Sequence, residues 1–165
     1  MSLTFEALYD EHASYVVRSL RRLGVAEGDV LDEAQNAFVA LHRHLARFDS
    51  SRPVKPWIFG FCHRIAANYR RLARNAHSST ALPENLESKD TPEREVDKKT
   101  ARGIVLIGLQ ELDETLRSVF CMYELDGFTA PEIADVLEIP VASVYVQVKT
   151  ARRRFRGALD ARGLP

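Results

Sequence analysis

The chain has 165 residues, enough for one domain or two small ones, and its 23 basic and 23 acidic side chains cancel, so net charge alone selects no partner. Its two cysteines, Cys62 and Cys121, form no CxxC pair and lie in apolar contexts, as buried thiols of a reducing cytosol do. No signal-peptide pattern and no apolar run of 18 residues is read, so the chain is expected to be neither exported nor membrane-spanning and to work in the cytoplasm. The distribution of charge says more than its sum. Residues 1–39 carry −4, residues 40–75 +7, residues 76–140 −8 and residues 141–165 +5. Two basic blocks on a neutral chain suggest two contacts with one polyanion.

In chain order, residues 4–23 read as a helix, with Phe5, Leu8, His12, Tyr15, Val16, Leu20 and Leu23 recurring at three and four and Gly24 placed to end it. A second helix starts at Asp29, with Asp32 and Glu33 in its positive first turns. Its inner stripe is expected to be Leu31, Ala34, Phe38, Leu41, Leu45 and then Phe48; the other side shows Asp32, Gln35, Asn36, Val39 and Arg43. Val39 makes that outer face partly apolar, a property of docking surfaces.

Asp49 to Lys55 is a loop, and Pro56 fits the first position of a third helix running to about Arg74. Trp57, Ile58, Phe61, Ile65, Tyr69 and Leu72 are expected inside; His63, Arg64, Arg70, Arg71 and Arg74 cluster outside, with Gly60 and Ala67 among them and no acid. Small residues between basic ones permit close approach to a phosphate backbone. Asn75 to Thr91 is polar and reads as a flexible linker. Thr91 and Pro92 restart a helix whose apolar side is Val96, Ile104, Ile107 and Leu109, weakened by Gly103 and Gly108. Another follows Asp113, with Leu116, Val119, Phe120 and Tyr123 inward and Gly127 after its end.

The last stretch, Thr129 to Arg156, is the most informative. Thr129 and Glu132 form a capping box and Pro131 sits in the first turn. Glu138, Ile139 and Pro140 break that helix, and the next buries Val144, Val148, Ala151 and Phe155. Its front carries Ala142, Val146, Lys149 and Arg153, flanked by Tyr145, Thr150, Arg152 and Arg156. An apolar back and basic front after a short turn describe a helix-turn-helix whose second helix enters the major groove. The reading is therefore all-α: two small helical domains, residues 1–75 and 92–165, joined by a flexible linker over residues 76–91.

Together these segments resemble a bacterial extracytoplasmic-function (ECF) sigma factor, the small two-domain initiation subunit of RNA polymerase. The likeness runs from Phe5 to about Leu159. DVLDEAQNAFVALHRHLARFD looks like the family's polymerase-docking helix, with Asp32 and Gln35 where the family usually has its Asp and Gln. KPWIFGFCHRIAANYRR looks like the helix that reads and opens the −10 element, and ELDGFTAPEIADVLEIPVASVYVQVKTARRRFR like the module that reads the −35 element. The resemblance implies an initiation factor that binds core RNA polymerase and promoter DNA, restrained by an anti-sigma protein. It places polymerase docking at Asp32, Gln35, Asn36, Val39 and Arg43. It places −10 recognition and melting at Ser50, Arg52, Lys55, Trp57, His63, Arg64, Asn68 and Arg71, and −35 recognition at Tyr145, Val146, Lys149, Arg152 and Arg153. There are departures: Asn36 stands where Glu is common, Arg64 and Asn68 where Asn and Asp are frequent, Glu138 replaces the usual turn Gly, and Tyr145, Val146, Gln147 and Thr150 stand where Arg, Ser, Arg and Arg are more frequent.

Elementary chemistry fits these roles. Lys149 and Arg153 suit phosphate or guanine, Val146 a thymine methyl, and Tyr145 either. Captured single-stranded bases stack on aromatic rings or enter pockets, as the loop before Trp57 would allow. No ligand spacing for a metal, no cofactor motif and no catalytic signature of the P-loop, HExxH or GxSxG kind occurs, so no enzymatic step is expected. Two alternatives stay open on the residues alone. A helix-turn-helix regulator acting without core polymerase would need only residues 92–165, and a module that sequesters a protein partner would not need two basic faces.

Overall fold

The computed structural model describes residues 2–78 and 100–165, and among them every regular element is a helix. Helix α1, Phe5–Arg22, starts at Thr4, whose hydroxyl accepts the Ala7 amide at 3.2 Å, and buries Leu8, His12, Tyr15, Val16, Ser19 and Leu20. Gly24, at φ +99°, turns the chain out of it.

Helix α2 spans Val30–His44. Asp29 stands at its N-cap but makes no cap bond; its carboxylate accepts the Tyr69 hydroxyl of the third helix at 2.5 Å instead. The inner stripe is Val30, Ala34, Ala37, Phe38 and Leu41. Leu31, expected inside, is 68% exposed. Val30 is in phase with Ala34 and Leu41, and one residue further along a helix is a rotation of ~100°, which takes Leu31 to the outer face. A short 3₁₀ turn, Leu45–Arg47, leads to the loop.

Helix α3 is the long one, Val54–Ser78; it begins two residues before Pro56 and passes Arg74, so it takes in the first residues expected for the linker. It buries Ile58, Phe59, Phe61, Cys62 and Ala66, whereas Leu72, expected inside, is 54% exposed beyond the end of the packed core. The rest of the expected linker, residues 79–91, and the helix start at Thr91–Pro92 lie outside the described residues.

The second unit comprises α4 (Ala101–Gln110), α5 (Glu114–Phe120), α6 (Ala130–Leu137) and α7 (Val141–Ala161). Thr100, Asp113 and Thr129 cap α4, α5 and α6, each accepting a backbone amide of the first turn. After α5 the helix widens into a π turn at Cys121–Leu125. The turn between α6 and α7 is closed by Glu138 in the left-handed region at φ 56°. Val144, Val148 and Ala151 form the buried back of α7, as their spacing predicts. Gly108 lets α7 approach α4: a Cβ there would fall within the Phe155 ring, which stacks on Phe120 with centroids 4.4 Å apart.

The two units are packed together. Buried side chains from both form one continuous apolar cluster, with Ile58, Phe59 and Cys62 of the first unit in it beside Cys121, Met122 and Phe128 of the second. Both thiols are buried, as read from the sequence, and burial pushes each up to about 12.

Candidate nucleic-acid interface

Three surfaces carry the residues singled out by sequence. On α7 the back is fixed in the core, so the front is fixed towards solvent. Tyr145 is 56% and Val146 66% exposed, and Lys149 and Arg153 are exposed beside them. Thr150 turns its hydroxyl back to the Val146 carbonyl at 3.2 Å. Arg152 differs from its neighbours: its guanidinium is bonded to Glu124 and lies over the Tyr123 ring at 5.5 Å, so part of its donor capacity is used within the unit.

On α2, Asp32, Gln35, Asn36, Val39 and Arg43 are all exposed on one side. Asn36 donates to Glu33 at 3.3 Å. Leu31 joins this face, which sequence reasoning missed. Recognising Val30 as the first core residue would have revealed it. Tyr9 of α1, 49% exposed and 4.8 Å from the Phe38 ring, adds a further uncovered apolar group to the same unit.

The third surface is the loop and the start of α3. Asp49 holds the loop by accepting both the amide (3.0 Å) and the hydroxyl (2.6 Å) of Ser51, bonds that keep its carboxyl below the usual carboxylate range. Ser50 is exposed. Trp57 is half-buried between Phe48 and Phe61, at centroid distances of 4.7 and 5.1 Å, so it is anchored by its neighbours. Arg64 is exposed over Phe61 at 5.8 Å, and Asn68 accepts from Arg71 at 2.6 Å. Lys55 is exposed, its ammonium 5.4 Å from the Tyr15 ring centroid. A cavity of about 660 Å³ opens here, with Phe48, Trp57, Phe61 and Arg64 on one side and Pro131 and Val136 of α6 on the other.

Two members of the expected −10 set touch the second unit, His63 partly buried and Arg52 still exposed. His63 is partly buried against α5, its Nδ1 2.6 Å from the Ser118 hydroxyl; burial holds its imidazole below its ordinary pKa, with Arg70 and Arg64 adding to the effect and Glu114 opposing it. Arg52 reaches Asp135 of α6 at 2.7 Å. The sequence offered no signal for either pairing, because both partners lie beyond the linker.

Residues 8–76, which contain α1 to α3 nearly whole, match the family described as Sigma-70 region 2, and residues 108–155 match Sigma-70, region 4. The ECF RNA polymerase sigma-E factor of Escherichia coli is 30% identical over 146 residues, covering 82% of this chain and 76% of that protein. The chain belongs to the ECF sigma factors. RNA polymerase sigma factor CnrH of Cupriavidus metallidurans is 29% identical over 170 aligned positions, covering 95% of this chain and 87% of that one. The solved structure of CnrH in complex with the cytosolic domain of CnrY superposes with a TM-score of 0.67 at 28% identity, over 95% of this sigma factor and 88% of CnrH. Sigma factor RpoE of Bartonella quintana, in complex with the anti-sigma factor NepR, shares the fold at a TM-score of 0.73 and 14% identity, over 94% and 96% of the two chains.

As a sigma factor, the protein directs RNA polymerase to promoters. Among the described residues no helix is long and apolar enough to cross a membrane, and no group of His, Cys, Asp and Glu is arranged to hold a metal ion.

Proposed function

We propose that this sigma factor grips its promoter at two points, docks on core polymerase through a third, and works in the cytoplasm without covalent chemistry of its own. The unit of residues 1–75 docks through Asp32, Gln35, Asn36, Val39 and Arg43, joined by Leu31. It reads and opens the −10 element through the loop with Ser50, Arg52 and Lys55, and through Trp57, His63, Arg64, Asn68 and Arg71. The unit of residues 92–165 reads the −35 element through Tyr145, Val146, Lys149 and Arg153, with Arg152 steadied by Glu124. The supporting observation is that the exposed polar side of α2 and the exposed cations Arg64 and Arg71 lie on different helices, so docking and DNA contact are separable. Phosphate contacts position a protein on DNA and base edges specify sequence. Lys149 and Arg153 serve the first purpose, and Tyr145 and Val146 the second. Two structural relatives were solved with the cytosolic domain of CnrY and with the anti-sigma factor NepR, which supports an anti-sigma protein as the restraint on this chain.

Paired substitutions test the division of labour. Arg64→Ala with Arg71→Ala impairs open-complex formation, read by permanganate reactivity of melted thymines, and leaves core binding intact. Asp32→Ala with Gln35→Ala lowers core affinity instead. Loss of core affinity alone by both pairs would overturn the assignment.

A further inference from the structure

Exposed apolar side chains are unevenly placed on this molecule. Among the described residues seven large ones are exposed, and three of them, Val141, Tyr145 and Val146, fall within the first six residues of α7. Ala142 is exposed beside them. They cannot be withdrawn, because Val144 and Val148 fix the back of the helix in the core. Two residues on from Val144 is a rotation of ~200°, which carries Val146 to the opposite side.

The charges of α7 are as unevenly placed. No Lys, Arg, Asp or Glu occurs in it before Lys149. From there on its front is cationic, with Lys149, Arg153 and Arg156 exposed. The polar neighbours of Val146 are engaged elsewhere. Thr150 gives its hydroxyl proton to the Val146 carbonyl at 3.2 Å, so it has none left for a base acceptor. Gln147 keeps its Oε1 buried. Arg152 donates from Nε to Glu124 and lies over the Tyr123 ring, and the π turn Cys121–Leu125 carries both of these partners.

Base edges in the major groove are read in two ways. Hydrogen bonds are one, with Arg or Lys the usual partner of guanine; apolar contact with the 5-methyl group that thymine alone carries is the other. In a helix-turn-helix the N-terminal residues of the second helix meet the base edges. On α7 those residues offer apolar surface and no cation, and the cations follow one turn later, where they can hold phosphate. We propose that Tyr145 and Val146 specify the −35 element through the methyl groups of two thymines, with no guanine contact at those two positions. The proposal rests on the −35 assignment above and gives it a base. Apolar patches serve protein partners as well, but the cations that continue this one along the same front match a polyanion.

The test uses holoenzyme assembled from the full chain and core polymerase. A promoter is selected from a random-sequence library, and each thymine of its −35 element, on either strand, is replaced in turn by deoxyuridine, which pairs identically and lacks only the methyl group. Competition against the unmodified promoter reads relative affinity. At two thymines the replacement lowers affinity about fourfold, the factor that corresponds to ~0.8 kcal/mol for one methyl-sized group taken from water. Val146→Ala, at an exposed position, abolishes the thymine–uracil difference at one of the two, and Tyr145→Ala abolishes it at the other. A −35 element whose scrambling lowers affinity but whose thymines all tolerate uracil would overturn the methyl reading and leave the −35 assignment standing. So would a thymine–uracil difference that survives both substitutions, or a selected element without thymine. A scrambled −35 element that binds as well as the original would overturn the −35 assignment itself. Loss of core polymerase assembly in Val146→Ala would give the patch to a protein partner and overturn the proposal.

Discussion

Gly108→Ala sets two opposing effects against each other, and the structure decides which wins. Alanine in a helix interior is favoured over glycine by about 1 kcal/mol. At this position of α4, however, the new Cβ would lie closer than 3.0 Å to three carbons of the Phe155 ring. The ring's face is stacked on Phe120 at an interplanar angle of 21°, so moving it off the new Cβ disturbs that stack. Overpacking of a close-packed core costs ~1–3 kcal/mol, and three simultaneous overlaps put this site at the upper end. The net expectation is a loss of about 2 kcal/mol once the gain in helix propensity is set against it. Equilibrium urea unfolding of the full chain, followed by circular dichroism, measures it as a lowered midpoint with an unchanged slope. Equal or higher stability would refute the reasoning, because it would mean that Phe155 is not confined between α4 and α5. The substitution also bears on function. Phe155 seats the helix that presents Tyr145, Val146, Lys149 and Arg153, so the variant should lose −35 affinity along with stability.

Two further outcomes follow from local features. Glu138→Gly removes a left-handed strain of ~1–2 kcal/mol, partly offset by the greater freedom of glycine in the unfolded chain; a stabilisation of about 0.5–1 kcal/mol in urea unfolding is expected, and destabilisation would mean that the Glu138 side chain makes contacts that matter more than its backbone. The packing of the two units should also respond to acid. Burial at the Ser118 contact, with Arg70 and Arg64 close and only Glu114 opposing, lowers the His63 pKa in the packed form. A lowered histidine favours the packed form fully above its free value of about 6.5, and that contribution is lost as pH falls through the packed-form pKa. Between pH 7.5 and pH 5.5 the His63 part of this response should loosen the packing, opposed by Asp126, whose carboxyl is raised by burial and favours the packed form in acid; His63→Gln should remove the loosening part in scattering, and an unchanged response in His63→Gln would assign it elsewhere.

Much of the fold is legible in the sequence because its punctuation is local. Thr4, Asp113 and Thr129 cap helices where their residue types place them, and Gly24 and Gly127 take positive φ where the periodic stretches end. The phase of α7 is legible for the same reason: Val144, Val148 and Ala151 leave only one way for the front to face. Errors arise where periodicity is weakest. At the start of α2 both Val30 and Leu31 are apolar, and only packing against α1 and α3 chooses between them. At Leu72 the helix outruns the core it packs on, so an apolar residue in phase with the stripe is left uncovered. The seam between the units is not legible at all. Nothing local in His63 announces Ser118, nor in Tyr15 Asp126, since 55 and 111 residues separate the partners. Alternating charge blocks do not resolve it: a block of cations reads equally as a DNA face and as a partner for the chain's own acids, and Arg52 and Arg70 of that block meet carboxylates of the second unit.

The account stands most directly on run-off transcription with purified core polymerase, the full chain and a library of promoter fragments. It predicts transcripts that appear only when the chain is added, from promoters sharing one −35 and one −10 sequence, and that fall sharply at limiting concentration with Asp32→Ala and Gln35→Ala. No initiation above core polymerase alone from any fragment, with duplex binding by the free chain intact, would contradict it.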